Sequence, residues 1–291
     1  MNDKKSYFKY FTALLMFGMN GIVASYISLT SYQIVLTRTL IGSLLLILIF
    51  AVTRQKVNLF KNKKHTLYLI ISGISMGASW IFLYEAYRQI GVGIASLLYY
   101  CGPVFVMVLA PVVFHESLSR TKIIGFVTVL LGMFLVNIHI INENKTVWGI
   151  LCGMYAFMII FNKKSKSITG LENSMWQLLT SFLAVALYTG IRHGFVIHLD
   201  PSGILPILIL GIFNTGIGCY LYFSSIGNLP VHTVSICGYI EPLSAVIFSM
   251  LFLHESMTLI QSAGAALIIG GAAFGELCPN KLTSAPSSPN P

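Results

Sequence analysis

The chain has 291 residues, 56% of them hydrophobic and only 9% charged, with a mean hydropathy of +0.80. That composition excludes a soluble domain, which needs a charged surface to stay apart from its neighbours, and points to a protein solvated by lipid. The formal charge of +9 would suit nucleic acid only if the cations shared one folded surface with aromatic partners, and here they are scattered over short connecting segments.

In chain order, apolar runs of about 20 residues recur almost throughout, the length that spans about 30 Å of hydrocarbon at about 1.5 Å per residue. They predict ten transmembrane helices, over residues 8–29, 32–52, 67–87, 92–114, 121–141, 147–161, 174–191, 203–226, 231–253 and 259–277. The fold class that follows is an all-α polytopic membrane protein. The first run follows Lys4, Lys5 and Lys9, and Val23, Ala24 and Ser25 only loosely imitate a signal-peptide cleavage site, so a retained helix is expected. The sixth run stops before Asn162 and Lys163 and predicts an unusually short helix. Cys101, Cys152, Cys219, Cys237 and Cys278 form neither a C-x-x-C pair nor a Cys/His cluster, so no disulfide, metal or other cofactor is expected. Residues 278–291, rich in Pro and Ser, are expected to form a disordered cytoplasmic tail, and residues 1–7 a short cytoplasmic N-terminus.

The sequence states one unit twice. Residues 80–134 and 219–273 align without a gap at an offset of 139, which places Tyr100 on Tyr239, Pro103 on Pro242, Gly125 on Gly264 and Gly132 on Gly271. The triplet His115, Glu116, Ser117 falls likewise on His254, Glu255, Ser256. Each unit reads as five helices, residues 8–141 and 147–277, joined near 142–146. Five is odd, so the second copy must enter the bilayer in the opposite sense. The charges agree. With the N-terminus cytoplasmic, the inside segments collect 14 of the 18 Lys and Arg residues, leaving Arg88, Lys145 and Arg192 outside and Arg38 within a helix. Arg120 and Lys122 follow the first triplet, Leu259 and Gln261 stand at the same places after the second, and both termini are expected to be cytoplasmic.

Inverted halves face each other across a central space near the midplane, where carriers hold their substrates. A charge within a span costs about 2.5–3.5 kcal/mol on insertion scales and needs a reason. Glu241, about ten residues into the ninth helix and beside Pro242, can take up a proton, pair with a cationic substrate group, or tie the helix to a neighbour. Arg38, about six residues from the outer end of the second helix, is expected to snorkel to the headgroups or form a structural salt bridge, with contact to a substrate carboxylate as the other reading. Its counterpart by depth in the second unit is Ser181. Asn20, Trp80, Tyr84, Tyr99, Asn214 and Tyr239 are uncharged groups able to line a cavity, and each also suits packing or interface anchoring. Pro103 and Pro242 read as hinges or as packing features. Glu116 and Glu255 are expected to cap the fifth and tenth helices, their triplets being too local for a catalytic triad. Glu85 and Arg88 are expected to pair near the end of the third helix. Gly73, Gly77, Gly125, Gly132 and the run 263–275 mark close helix contacts, within a monomer or in a homodimer.

Phe114, His115, Glu116, Ser117 and Leu118 after Pro103, with Gly125 and Gly132 following, recur around Glu241, Pro242, His254 and Glu255. With Arg38 in helix two, these residues make the chain resemble the EamA branch of the drug/metabolite transporter superfamily, over residues 8–277. The resemblance implies a ten-helix bacterial inner-membrane permease working by alternating access, commonly an exporter of amino acids, related metabolites or toxic compounds. The short sixth helix departs from that pattern and keeps a transport-impaired variant, or a non-transporting membrane partner or sensor, as an alternative. A membrane-embedded enzyme would need acidic or polar groups gathered at one face, and the sequence shows no such cluster. There is no G-x-x-x-x-G-K-[ST] loop, so coupled protons or facilitated diffusion are the expected drive. The expected partners are a small-molecule substrate and the lipid bilayer.

Overall fold

The computed structural model describes residues 2–99, 102, 109, 113, 120–137, 155–192, 194–195, 200–226, 229 and 238–277. Among them the secondary structure is entirely helical. The helices are α1 (Asn2–Gly18), α2 (Asn20–Ser25), α3 (Ser31–Val52), α4 (Lys63–Ile90), α5 (Val92–Tyr99), α6 (Arg120–Asn137), α7 (Tyr155–Lys164) and α8 (Gly170–Arg192). They continue with α9 (Pro201–Leu208), a π-helical segment (Ile209–Ile217), α10 (Gly218–Ile226), α11 (Ile240–Phe252) and α12 (Leu259–Leu277). By length and composition, Ser31–Val52, Lys63–Ile90, Gly170–Arg192 and Pro201–Tyr222 can cross a membrane. Tyr100, Pro103, Glu116, the joint at 142–146, the start of the predicted sixth helix and the tail 278–291 lie outside the described residues.

The bundle is apolar outside and polar within, as lipid solvation demands. Helix α3 exposes Leu40, Leu44 and Leu48 at helical spacing while burying Ser31, Arg38, Thr39 and Ser43. Its start is fixed by a capping box between Thr30 and Gln33. The predicted first helix is not continuous: it breaks at Met19 between α1 and α2. Gly18 explains how the chain passes there, since a Cβ on it would lie 2.0 Å from Ser244 Oγ and 3.1 Å from the Glu241 carbonyl oxygen. The break therefore sits against α11 and directs Asn20 inward. The predicted eighth helix contains the π segment, which turns Thr215 toward α3 and Asn214 toward α1 and α2. Gly211 and Gly216 bring its backbone onto Ile41 and Leu45.

The two glycine stripes meet each other inside one chain. A Cβ on Gly125 would lie 2.6 Å from the Gly271 carbonyl oxygen, and one on Gly132 would lie 2.6 Å from that of Gly264. Each glycine thus touches the twin of the other. Such crossed pairing requires α6 and α12 to run antiparallel, related by a two-fold axis through their contact. Other contacts come in twin pairs: α1 against α10 matches α4 against α7, and α3 against the π segment matches α8 against α4.

Candidate functional site

Among the described residues the most buried charge, Arg38, lies at the centre of the candidate site. Arg38 is 1% exposed, and three of its nitrogens reach neutral oxygens on three different elements. Its Nε donates to Thr215 Oγ1 at 2.8 Å, one terminal nitrogen donates to the Tyr84 hydroxyl, and the other to Asn20 Oδ1 at 3.5 Å. The guanidinium lies over the Trp80 ring at 4.3 Å and the Tyr84 ring at 5.2 Å, where the negative ring faces offset part of its desolvation. Asn214 secures Asn20 in turn, donating to its Oδ1 at 3.2 Å and to the Met16 carbonyl at 2.8 Å. Thr215 is itself fixed by donating to the Leu210 carbonyl at 2.8 Å, an i−5 contact that the π turn makes available.

Five predicted candidates, Asn20, Arg38, Trp80, Tyr84 and Asn214, therefore form one cluster. The expected snorkelling or salt bridge of Arg38 is corrected: the side chain turns inward, and among the described residues no carboxylate stands within ion-pair distance of it. The described ion pair is the expected one, Glu85 with Arg88 at 3.9 Å. Tyr99 and Tyr239 fall in an adjoining buried cluster that Trp80 borders, with the Tyr155 ring 4.3 Å from that of Tyr99. Glu241 is half-buried in the first turn of α11. Pro242 occupies the same first turn, where its missing N–H breaks no bond of the described helix.

A cavity of about 250 Å³ reaches this cluster from the end of the bundle that holds Leu29, Arg88 and Glu255. Gly21 and Tyr84 form part of its wall, and Tyr84 also bonds Arg38. Glu255 does not cap the tenth helix as expected. Its two carboxylate oxygens accept from Val92 N at 2.7 Å and Gly93 N at 3.0 Å, closing the start of α5 in the other unit. Helix α12 instead begins with Thr258 and Gln261, whose side chains exchange bonds with each other's amides.

A neutral network was not foreseen. Gln177, fully buried, accepts from Asn162 Nδ2 and donates to Met76 Sδ at 3.5 Å, while Asn162 also donates to Asn173 Oδ1 at 2.9 Å. Gln177 stands 139 residues after Arg38, and Thr215 the same distance after Met76. The bond from Arg38 to Thr215 and the bond from Gln177 to Met76 are thus twins, each completed by an asparagine. Gln177, and not Ser181, is the counterpart of Arg38; Ser181 packs against Gly77.

A helical membrane bundle whose interior, among the described residues, holds the Arg38 cation bonded to neutral groups beside a cavity has the organisation of a carrier. The EamA-like transporter family matches residues 4–138 and again residues 146–274, so the chain belongs to that family of transporters. It is 23% identical over 270 residues to the uncharacterized transporter YxxF of Bacillus subtilis, covering 90% of this chain and 86% of that one. It is 25% identical over 195 residues to a probable amino-acid metabolite efflux pump of Salmonella typhimurium, covering 62% of this chain and 65% of the pump. A solved structure titled only as the crystal structure of a protein shares the fold, with a TM-score of 0.66 at 16% identity over 95% of this chain and 99% of that one.

Proposed function

We propose that the chain is a secondary transporter that exports amino acids or related small metabolites across the bacterial cytoplasmic membrane by alternating access. The buried Arg38 cluster beneath the cavity carries this reading, because a bilayer-embedded bundle retains an interior cation where a solute must be held. Units of five helices, residues 8–141 and 147–277, rock about the contact of α6 with α12, with Pro103 and Pro242 as hinges and both termini cytoplasmic. Glu241 exchanges the coupled proton. The efflux-pump relative supports the substrate class and the outward direction.

Purified protein in liposomes, screened with amino acids and cationic drugs with and without an imposed proton gradient, tests the reading. Gradient-stimulated flux of at least one solute is expected, and Glu241→Gln is expected to abolish the stimulation at normal membrane abundance. A correctly folded protein that moves none of these solutes would overturn the transport assignment, and unchanged coupling in Glu241→Gln would remove Glu241 from it.

A further inference from the structure

We propose that Arg38 recognises the carboxylate of the transported molecule, the Tyr84 hydroxyl and the Asn20 amide oxygen holding its place until substrate arrives. The transported class is then small molecules bearing a carboxylate, to the exclusion of amines that lack one. This deepens the transport reading and rests on it.

A guanidinium offers five N–H donors in a planar fork, and the fork matches a carboxylate with two parallel bonds. Here three donors go to neutral oxygens, and one of those bonds, to Asn20, is stretched to 3.5 Å. The firm anchor is at Nε, on Thr215, which leaves the end of the fork formed by the two terminal nitrogens for a ligand. That end is held by Tyr84 and Asn20. Tyr84 lines the cavity, and so does Gly21, the residue after Asn20. A solute entering the cavity therefore meets Tyr84, and to take the fork it must displace the phenol and the long Arg38–Asn20 contact.

Among the described residues no carboxylate, Glu241 included, stands within ion-pair distance of Arg38, and three acids are held by other partners. Glu85 accepts from Ser31 and Gln89, Glu172 from the Asn58 and Leu59 amides, and Glu255 from Val92 and Gly93. The guanidinium also lies over the Trp80 and Tyr84 rings, so a ligand bound at the fork sits beside both aromatics. A cavity of about 250 Å³ limits the ligand to a small one.

The test uses the full chain in lipid nanodiscs with Trp148 and Trp176 replaced by Phe, so that Trp80 reports alone. It is titrated with a pool of the standard amino acids other than Trp, Tyr and Phe together with short monocarboxylates, and separately with the corresponding amides and amines. The acids are expected to change Trp80 fluorescence saturably and the amides and amines not. Arg38→Gln is expected to abolish the response, and Arg38→Lys, which keeps the charge and loses the fork, to weaken binding roughly tenfold or more. Tyr84→Phe removes the competing hydroxyl and should bind acids at least as tightly as the parent. Amides that bind as well as acids, acid binding within about twofold of the parent in Arg38→Gln, or no saturable response to the acids would each overturn the proposal. Flux in liposomes separates the two readings: acid binding without flux leaves Arg38 as the carboxylate site and removes the carrier assignment, whereas flux of amines without acid binding does the reverse.

Discussion

Gly132→Ala tests the crossing of α6 with α12 directly. The added methyl carbon would lie 2.6 Å from the Gly264 carbonyl oxygen and 2.8 Å from Ile268 N, both backbone atoms. Ordinary contact begins at 3.4 Å, so the helices must part by several tenths of an ångström along their whole interface. Overpacking of this kind costs about 1–3 kcal/mol, while Ala in place of Gly within a helix returns about 1 kcal/mol. Gly270→Ala separates the two effects, because a Cβ there meets nothing within 4 Å. Both substitutions gain the same propensity, so the difference between them isolates the packing cost of about 1–3 kcal/mol. Thermal unfolding in detergent, followed by loss of the monodisperse peak on size exclusion, should rank Gly270→Ala above the parent and Gly132→Ala below Gly270→Ala by several degrees. Equal midpoints for the two variants would refute the close antiparallel contact, and with it the two-fold relation of the units.

Glu255→Ala removes the acceptor of two amides at the start of α5 and is expected to cost about 1–3 kcal/mol of stability in the same assay, with Glu255→Gln losing less because one oxygen remains. Thr30→Val deletes the hydroxyl of the Thr30 and Gln33 capping box, and a loss of about 0.5–2 kcal/mol is expected with α3 otherwise intact.

The duplication, the helical class and most helix positions were legible because hydrophobic length and a fixed offset are properties of the chain itself. Ser31–Val52 lies within a residue of its predicted span. Five of the eight proposed cavity residues converge because polar groups in an apolar span have few places to go other than one another. What the sequence hid depends on neighbours. Whether Arg38 snorkels or turns inward is decided by Thr215, Tyr84 and Trp80, which come from distant segments. Thr215 was overlooked because a threonine in a helix carries no signal until a π turn presents it, although the glycines at 211, 216 and 218 around it mark an unusual backbone. The cap formed by Glu255 was assigned to the nearest helix in sequence, whereas the amides it satisfies are 163 and 162 positions away.

The twin networks make the two halves chemically unequal at one point, and that inequality can be tested by moving it. Arg38 has a hydroxyl partner in Thr215, while its twin Gln177 faces a thioether in Met76. A thioether is a weak acceptor and cannot stabilise a guanidinium as a hydroxyl does. Gln177→Arg therefore buries a second cation without its partner, at about 2.5–3.5 kcal/mol on insertion scales, and should lower membrane abundance and thermal stability. Adding Met76→Thr supplies the missing hydroxyl at the place equivalent to Thr215, and the double variant should recover about 1 kcal/mol or more beyond the sum of the single effects. Met76→Thr alone leaves Gln177 with a better acceptor and a small void, and should change stability little. Strict additivity in this double-mutant cycle would mean that positions 76 and 177 do not face each other as 215 and 38 do, and the pseudo-symmetric register of the two sites would fail. Positive coupling would establish that Arg38 occupies one of two equivalent sockets, the other of which holds the neutral Gln177.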